Sequence, residues 1–133
     1  KADYTMFFRK LSHIPTDIDG LKESFYAPSS AELDARLNGW LQRWQNRLGS
    51  EGDLTEMAAA MKRVNPKYAW REWLIAPAYR KAEQRDYSLI KELQSVFSNP
   101  YEEQSPEVET KYDRTKPKDL FRVGGISHYS CSS

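Results

Sequence analysis

Apolar residues recur every three or four positions along almost the whole chain, and nowhere do they alternate one by one. A strand needs alternation, whereas a helix needs a stripe repeating about every 3.6 residues, so this spacing confines the chain to an all-α fold. The strongest stripe covers residues 31–48. There Leu33, Leu37, Trp40, Leu41, Trp44 and Leu48 share one face, while Asp34, Arg36, Gln42, Arg43, Asn46 and Arg47 take the other. Ser29 with Glu32 matches a capping box that opens this helix, and Gly49 suits its stop. Gly39 inside the stripe weakens the helix and predicts the close approach of another backbone.

Four further stripes follow the same logic. Tyr4, Phe7, Phe8 and Leu11 form the first, with Asp3 as N-cap and Pro15 closing the segment. Asp53, with Glu56 three residues on, opens a helix whose buried stripe is expected to be Leu54, Met57, Ala58, Met61 and Val64. Asn65-Pro66 ends it, and Pro66 in a first turn is expected to begin another carrying Trp70, Trp73, Leu74, Pro77 and Ala78, kinked at Pro77. Asp86 caps a last stripe of Leu89, Ile90, Leu93, Val96 and Phe97, which ends at Ser98-Asn99-Pro100. Trp40, Trp44, Trp70 and Trp73 all stand at core spacing and are expected to be largely buried. Beyond Pro100 the period fades, Pro106, Pro117, Gly124 and Gly125 punctuate a polar segment, and only a short helix over residues 107–112 is expected. The expectation is an irregular bundle of about five helices over residues 1–100, followed by a mostly irregular tail over residues 101–133 ending in Ser-Cys-Ser-Ser.

The charge balance narrows the classes of partner. The 20 basic and 19 acidic residues nearly cancel, which argues against a dedicated nucleic-acid surface. No apolar run approaches the roughly 20 residues that span a bilayer, and the opening does not read as a signal peptide. With one cysteine in 133 residues, a disulfide-stapled secreted domain is disfavoured and a reducing intracellular compartment preferred. The chain opens on Lys1-Ala2-Asp3 and runs at once into a helical pattern, which reads as the C-terminal piece of a longer protein.

Few residues carry chemistry of their own. His128 and Cys131 have the spacing of a metal-ligand pair, but two ligands fall short of the four of a closed zinc site. Cys131 has no second cysteine to bond, so it is either incidental or has a partner outside these residues. Glu102-Glu103 and Glu107 with Glu109 read as carboxylates that solvate a loop. Lys62, Arg63, Lys67 and Arg71 cluster at a helix junction, and complementing the helix dipole on a solvated face is a better reading than phosphate binding. No catalytic, cofactor-binding or metal residue is assigned within this chain.

Four phrases add a resemblance. Asp3-Tyr4-Thr5-Met6-Phe7-Phe8-Arg9, Val64-Asn65-Pro66-Lys67-Tyr68 leading into Arg71 and Trp73-Leu74, Asn99-Pro100-Tyr101-Glu102-Glu103-Gln104 after Asp86-Tyr87-Ser88, and the ending Ser130-Cys131-Ser132-Ser133 resemble, in order, phrases of the SelO/YdiU family. Arg85 departs from that pattern, standing where the family's turn has glycine before the aspartate.

The resemblance implies a longer parent with a kinase-like pseudokinase fold that transfers AMP from ATP, with Mg²⁺ or Mn²⁺, to hydroxyl side chains of protein substrates. The nucleotide and metal residues of the family have no matching positions here. The resemblance therefore implies a helical C-terminal region without activity of its own, packed on the N-terminal kinase-like region of the same chain. It also places Cys131 where the family's C-terminal cysteine or selenocysteine is proposed to bond a cysteine of the catalytic region. A cytoplasmic location is implied for a bacterial member, a mitochondrial or other organellar one for a eukaryotic member. The competing class is an independent helical module that presents aromatic surface to a partner protein.

Overall fold

The computed structural model describes residues 1–122, so Gly124, Gly125, His128 and Cys131 lie outside the described residues. Six α-helices run in the order α1 (Tyr4–Leu11), α2 (Ala31–Glu51), α3 (Leu54–Val64), α4 (Glu72–Glu83), α5 (Ser88–Ser98) and α6 (Pro106–Tyr112). Two 3₁₀ segments, Ile18–Ser24 and Lys118–Arg122, complete the described elements. The all-α expectation holds, with one helix more than about five. Extended pairing among the described residues is limited to a single bridge between Ala2 and Phe25.

Local chemistry sets most of the helix ends. Asp3 caps α1 by accepting the Met6 N–H at 3.1 Å, and Asp53 caps α3 by accepting the Thr55 and Glu56 amides. The cap of α2 is Ser30 rather than Ser29, because the Ser30 hydroxyl reaches the Leu33 amide while Ser29 bonds the Asp34 carboxylate. That helix also runs past Gly49 to Glu51 and stops at Gly52, whose φ of +157° suits glycine. The 3₁₀ segment over residues 18–24 had no counterpart in the helical pattern. Its Ile18 and Leu21, three residues apart, both point inward. Gly20 lets it sit against Pro15, since a Cβ there would lie 2.6 Å from the proline Cβ.

Two apolar clusters result. Leu11, Ile18, Leu21 and Leu41 form the first, with Phe7, Phe8, Phe25, Trp40, Trp44 and Met61 packed around them. Tyr68, Leu74, Ala78, Leu93, Val96 and Tyr112 form the second, flanked by Trp73, Leu89, Ile90, Phe97 and Val108. α6 therefore contributes to the second cluster through Tyr112 and Val108.

Four expectations about burial, helix position and packing need correction. The stripe of α3 is not buried: Met57, Ala58 and Met61 are half-buried, while Leu54 and Val64 are 41% and 72% exposed. No helix starts at Pro66, because the Lys67 and Tyr68 amides both donate to the Pro100 carbonyl, and α4 begins only at Glu72. Trp70 is thereby left off the helix and 62% exposed, its ring stacked on Phe97 at 4.5 Å; Trp40, Trp44 and Trp73 are half-buried. Nor, among the described residues, does another backbone approach Gly39, where a Cβ would meet only Arg43 Nη1 at 3.6 Å.

Between α4 and α5 the chain turns at Arg85 with φ of 63°, the left-handed region that favours glycine, and Asp86 then accepts the Ser88 amide at 2.9 Å. Arg85→Gly removes about 1–2 kcal/mol of local strain and adds back about 0.5–1 kcal/mol of chain entropy. The expected result is a gain of several tenths of a kcal/mol in unfolding free energy, read as a higher urea midpoint; a loss would show that the Arg85 side chain itself holds the turn.

Candidate functional site

Charged side chains join the two clusters. Asp3, buried at the start of α1, takes Arg71 on both carboxylate oxygens, with Nη2 at 2.9 Å from Oδ1 and Nη1 on Oδ2. Tyr26 donates to the same Oδ2 at 3.1 Å. Arg9, on the buried side of α1, donates through Nη1 to the Lys62 and Asn65 carbonyls at 3.1 Å each and through Nη2 to Glu103 at 2.8 Å. Those carbonyls belong to the end of α3, so Arg9 both fills unsatisfied acceptors and meets the negative end of the helix dipole. Lys67, also buried, bridges Glu103 and Glu109, the latter at 2.5 Å. Asn65 Nδ2 donates to Ser12 Oγ at 3.2 Å and to the Met61 carbonyl at 2.9 Å.

Two readings of the sequence change here. Lys67 and Arg71 are not cations of a solvated face but ion-pair members sunk between the clusters. Glu103 and Glu109 are not loop solvation but the carboxylates that hold Lys67. Only their sequence spacing was available as a signal, and partners 94, 68 and 36 residues apart leave none.

The electrostatics follow from the contacts. Burial by itself would raise the Glu103 carboxyl, but hydrogen bonds from Lys67 and Arg9 outweigh it and hold it at about 2. Asp3 stays below the ordinary carboxylate range in the same way, burial being outweighed by Arg71 and the Met6 amide. Burial opposes the charge on Lys67, yet Glu103 and Glu109 raise its pKa above the usual lysine value. Beside the seam lies a groove of about 590 Å³ lined by Arg9, His13, Lys67, Glu103, Glu109 and Asp113 among others. Burial raises the Asp113 carboxyl, and burial together with the Lys62 charge lowers His13. Glu103 and Asp3 are already occupied by cations, and among the described residues no group of three His, Cys, Asp or Glu is placed to hold a metal ion. The seam does not fit a Mg²⁺ or Mn²⁺ site; it fits a clamp. Also among the described residues, no helix is long and apolar enough to cross a membrane.

No family model and no solved structure matches the chain. Curated relatives do. The protein nucleotidyltransferase YdiU of Myxococcus xanthus is 38% identical over 107 residues, covering 77% of this chain and 21% of the relative. That of Thioalkalivibrio sulfidiphilus is 39% identical over 111 residues, 81% of this chain and 21% of the relative. That of Aromatoleum aromaticum is 34% identical over 140 residues, all of this chain and 26% of the relative. The chain belongs to the SelO/YdiU family. It spans about a quarter of the length of the relatives it matches.

The three SelO/YdiU phrases within the described residues are the ones that meet in the seam. Asp3 and Arg9 come from the first, Asn65 and Lys67 with Arg71 from the second, and Glu103 from the third. Backbone contacts repeat the pattern, since Lys67 and Tyr68 donate to Pro100, and Gln104 Nε2 folds back on the Val96 carbonyl at 2.9 Å.

Breaking a buried pair leaves an uncompensated charge, so Asp3→Ala is expected to lower stability by about 3–5 kcal/mol. Adding Arg71→Met is expected to cost much less than the sum of the two single changes, as a double-mutant cycle in urea would read. Additive losses would show that Asp3 acts only as the cap of α1. For pH the sign is set by depressed carboxyls, which add stability above their ordinary pKa and lose it as pH falls through the folded value. The Glu103 contribution should be level above about pH 5 and be lost as Glu103 is protonated between its ordinary 4.5 and about 2, while His13, held low by burial, removes some stability as pH falls below its ordinary 6.5. Glu103 is 53% exposed, so solvent screening tempers the size of the drop. Glu103→Gln should flatten the acid limb of urea midpoints measured against pH.

Proposed function

We propose that this chain is the helical, non-catalytic C-terminal region of a pseudokinase-fold protein adenylyltransferase. The observation that carries the reading is its identity to relatives named protein nucleotidyltransferase of which it spans about a quarter. In this reading the full-length protein transfers AMP from ATP, with Mg²⁺ or Mn²⁺, to hydroxyl groups of protein substrates. The N-terminal kinase-like region binds nucleotide and metal. The seam residues of this chain bind neither; they hold its two halves as one platform against that region. Cys131 acts as a redox contact with the catalytic region. Lys1 Nζ sits 5.3 Å from the Phe121 ring, so the last described residues lie near the first.

The exposed Trp70 stacked on Phe97 favours a second reading, an independent module offering aromatic surface to a partner protein. The share of the relatives' length weighs for the first. Full-length protein with ATP and Mg²⁺ or Mn²⁺ should label protein substrates with AMP, while this chain alone should label none. Millimolar ATP with Mg²⁺ should leave the melting temperature of the chain unchanged, and a saturable rise would overturn the assignment. Cys131→Ser in the full-length protein should change the response of activity to dithiothreitol; an unaltered response, with Cys131 always free by mass spectrometry, makes the thiol incidental.

A further inference from the structure

We propose that the outward face of α2, with α3 beside it, is the surface on which another segment of the full-length protein packs, and that this segment is apolar and carries carboxylates. The inference rests on the reading of this chain as one region of a longer nucleotidyltransferase.

α2 runs 21 residues, about 31 Å at 1.5 Å per residue, yet Leu41 is its sole buried residue. Its apolar stripe is wider than the first cluster covers. Leu33 is 40% exposed, and the stacked pair Trp40–Trp44, centroids 6.1 Å apart, is half-open. α3 has no buried residue although most of its side chains are apolar. Helices draw most of their stability from packing an apolar face, so two neighbouring helices with faces left open call for a covering element.

Gly39 supports the same surface. A glycine weakens a helix interior, and among the described residues nothing uses the space it leaves, since a Cβ would meet only the Arg43 guanidinium. A groove of about 420 Å³ opens at this point, with Leu33, Leu37 and Trp40 on its apolar side. Arg36 and Arg43 stand on its other side, and neither makes an ion pair among the described residues. A half-buried tryptophan and guanidinium groups without an ion pair among the described residues, set around a pocket, are the composition that anchors protein interfaces.

The occupant follows from length and charge. Relatives extend to about four times the length of this chain, so most of the polypeptide remains to be placed against it. The groove lining holds two arginines and no carboxylate, so two copies meeting here about a two-fold axis would set like charges together. A segment of the same polypeptide with carboxylates flanking apolar residues matches the face without that conflict.

Hydroxyl-radical footprinting of the full-length protein tests this. Trp40 and Leu33 should oxidise at least about threefold more slowly there than in the 133-residue chain by itself, its helicity first verified by circular dichroism. Gly39→Leu should leave the melting temperature of the short chain unchanged or higher, and lower that of the full-length protein by several degrees. The double change Arg36→Glu with Arg43→Glu should raise Trp40 oxidation in the full-length protein without altering the short chain's helicity. Equal oxidation in both proteins, or a Gly39→Leu effect of the same sign in both, overturns the proposal. Concentration-dependent dimerisation of the short chain with protection at Trp40, and none added in the full-length protein, overturns it in favour of a second copy. AMP transfer by the full-length protein is a separate readout, so failure of the parent reading leaves the footprint to decide the face alone.

Discussion

Arg9 makes three contacts that tie the N-terminal helix to residues more than fifty positions away. One guanidinium nitrogen fills two carbonyls at the end of α3, and another takes Glu103 from the far end of the sequence. Lys67 shares that carboxylate and adds Glu109, while Asp3 and Arg71 close the second link. These pairs bridge two apolar clusters that share no buried residue. These pairs, rather than a shared buried apolar residue, join one half of the fold to the other.

A seam of charges has a different physical character from an apolar slab. Apolar contact is non-directional and tolerates sliding, whereas a bidentate guanidinium–carboxylate pair matches one arrangement only. Taking ions out of water costs several kcal/mol per group, and that cost is offset here by the density of hydrogen bonds around each one. The match is incomplete, because Nε of Arg9 and of Arg71 is buried without a hydrogen-bond partner. Such a seam fixes register at some expense of stability.

The outer surface is built the opposite way. α2 and α3 carry more apolar side chain than the first cluster takes up, and Trp70 stands open on Phe97. A chain that closes its interior with ion pairs and leaves tryptophan and leucine outside has its remaining hydrophobic surface where another segment can reach it.

Helical periodicity by itself determined the fold class, the position of most helices and the caps at Asp3 and Asp53, because those depend on neighbours within four residues. The phrases around Asp3, Asn65 and Asn99 likewise marked the family from sequence alone. What those phrases do was decided by tertiary structure. The unwound stretch before Glu72, the exposure of Trp70 and the burial of Lys67 all depend on contacts with residues distant in sequence, while the choice of Ser30 over Ser29 as cap turns on which hydroxyl reaches the Leu33 amide. Periodicity records which face of a helix is apolar, but it carries no information about whether that face finds a partner within the chain. A charged residue reads as solvated until its counter-ion, here up to 94 positions away, is brought beside it by the fold.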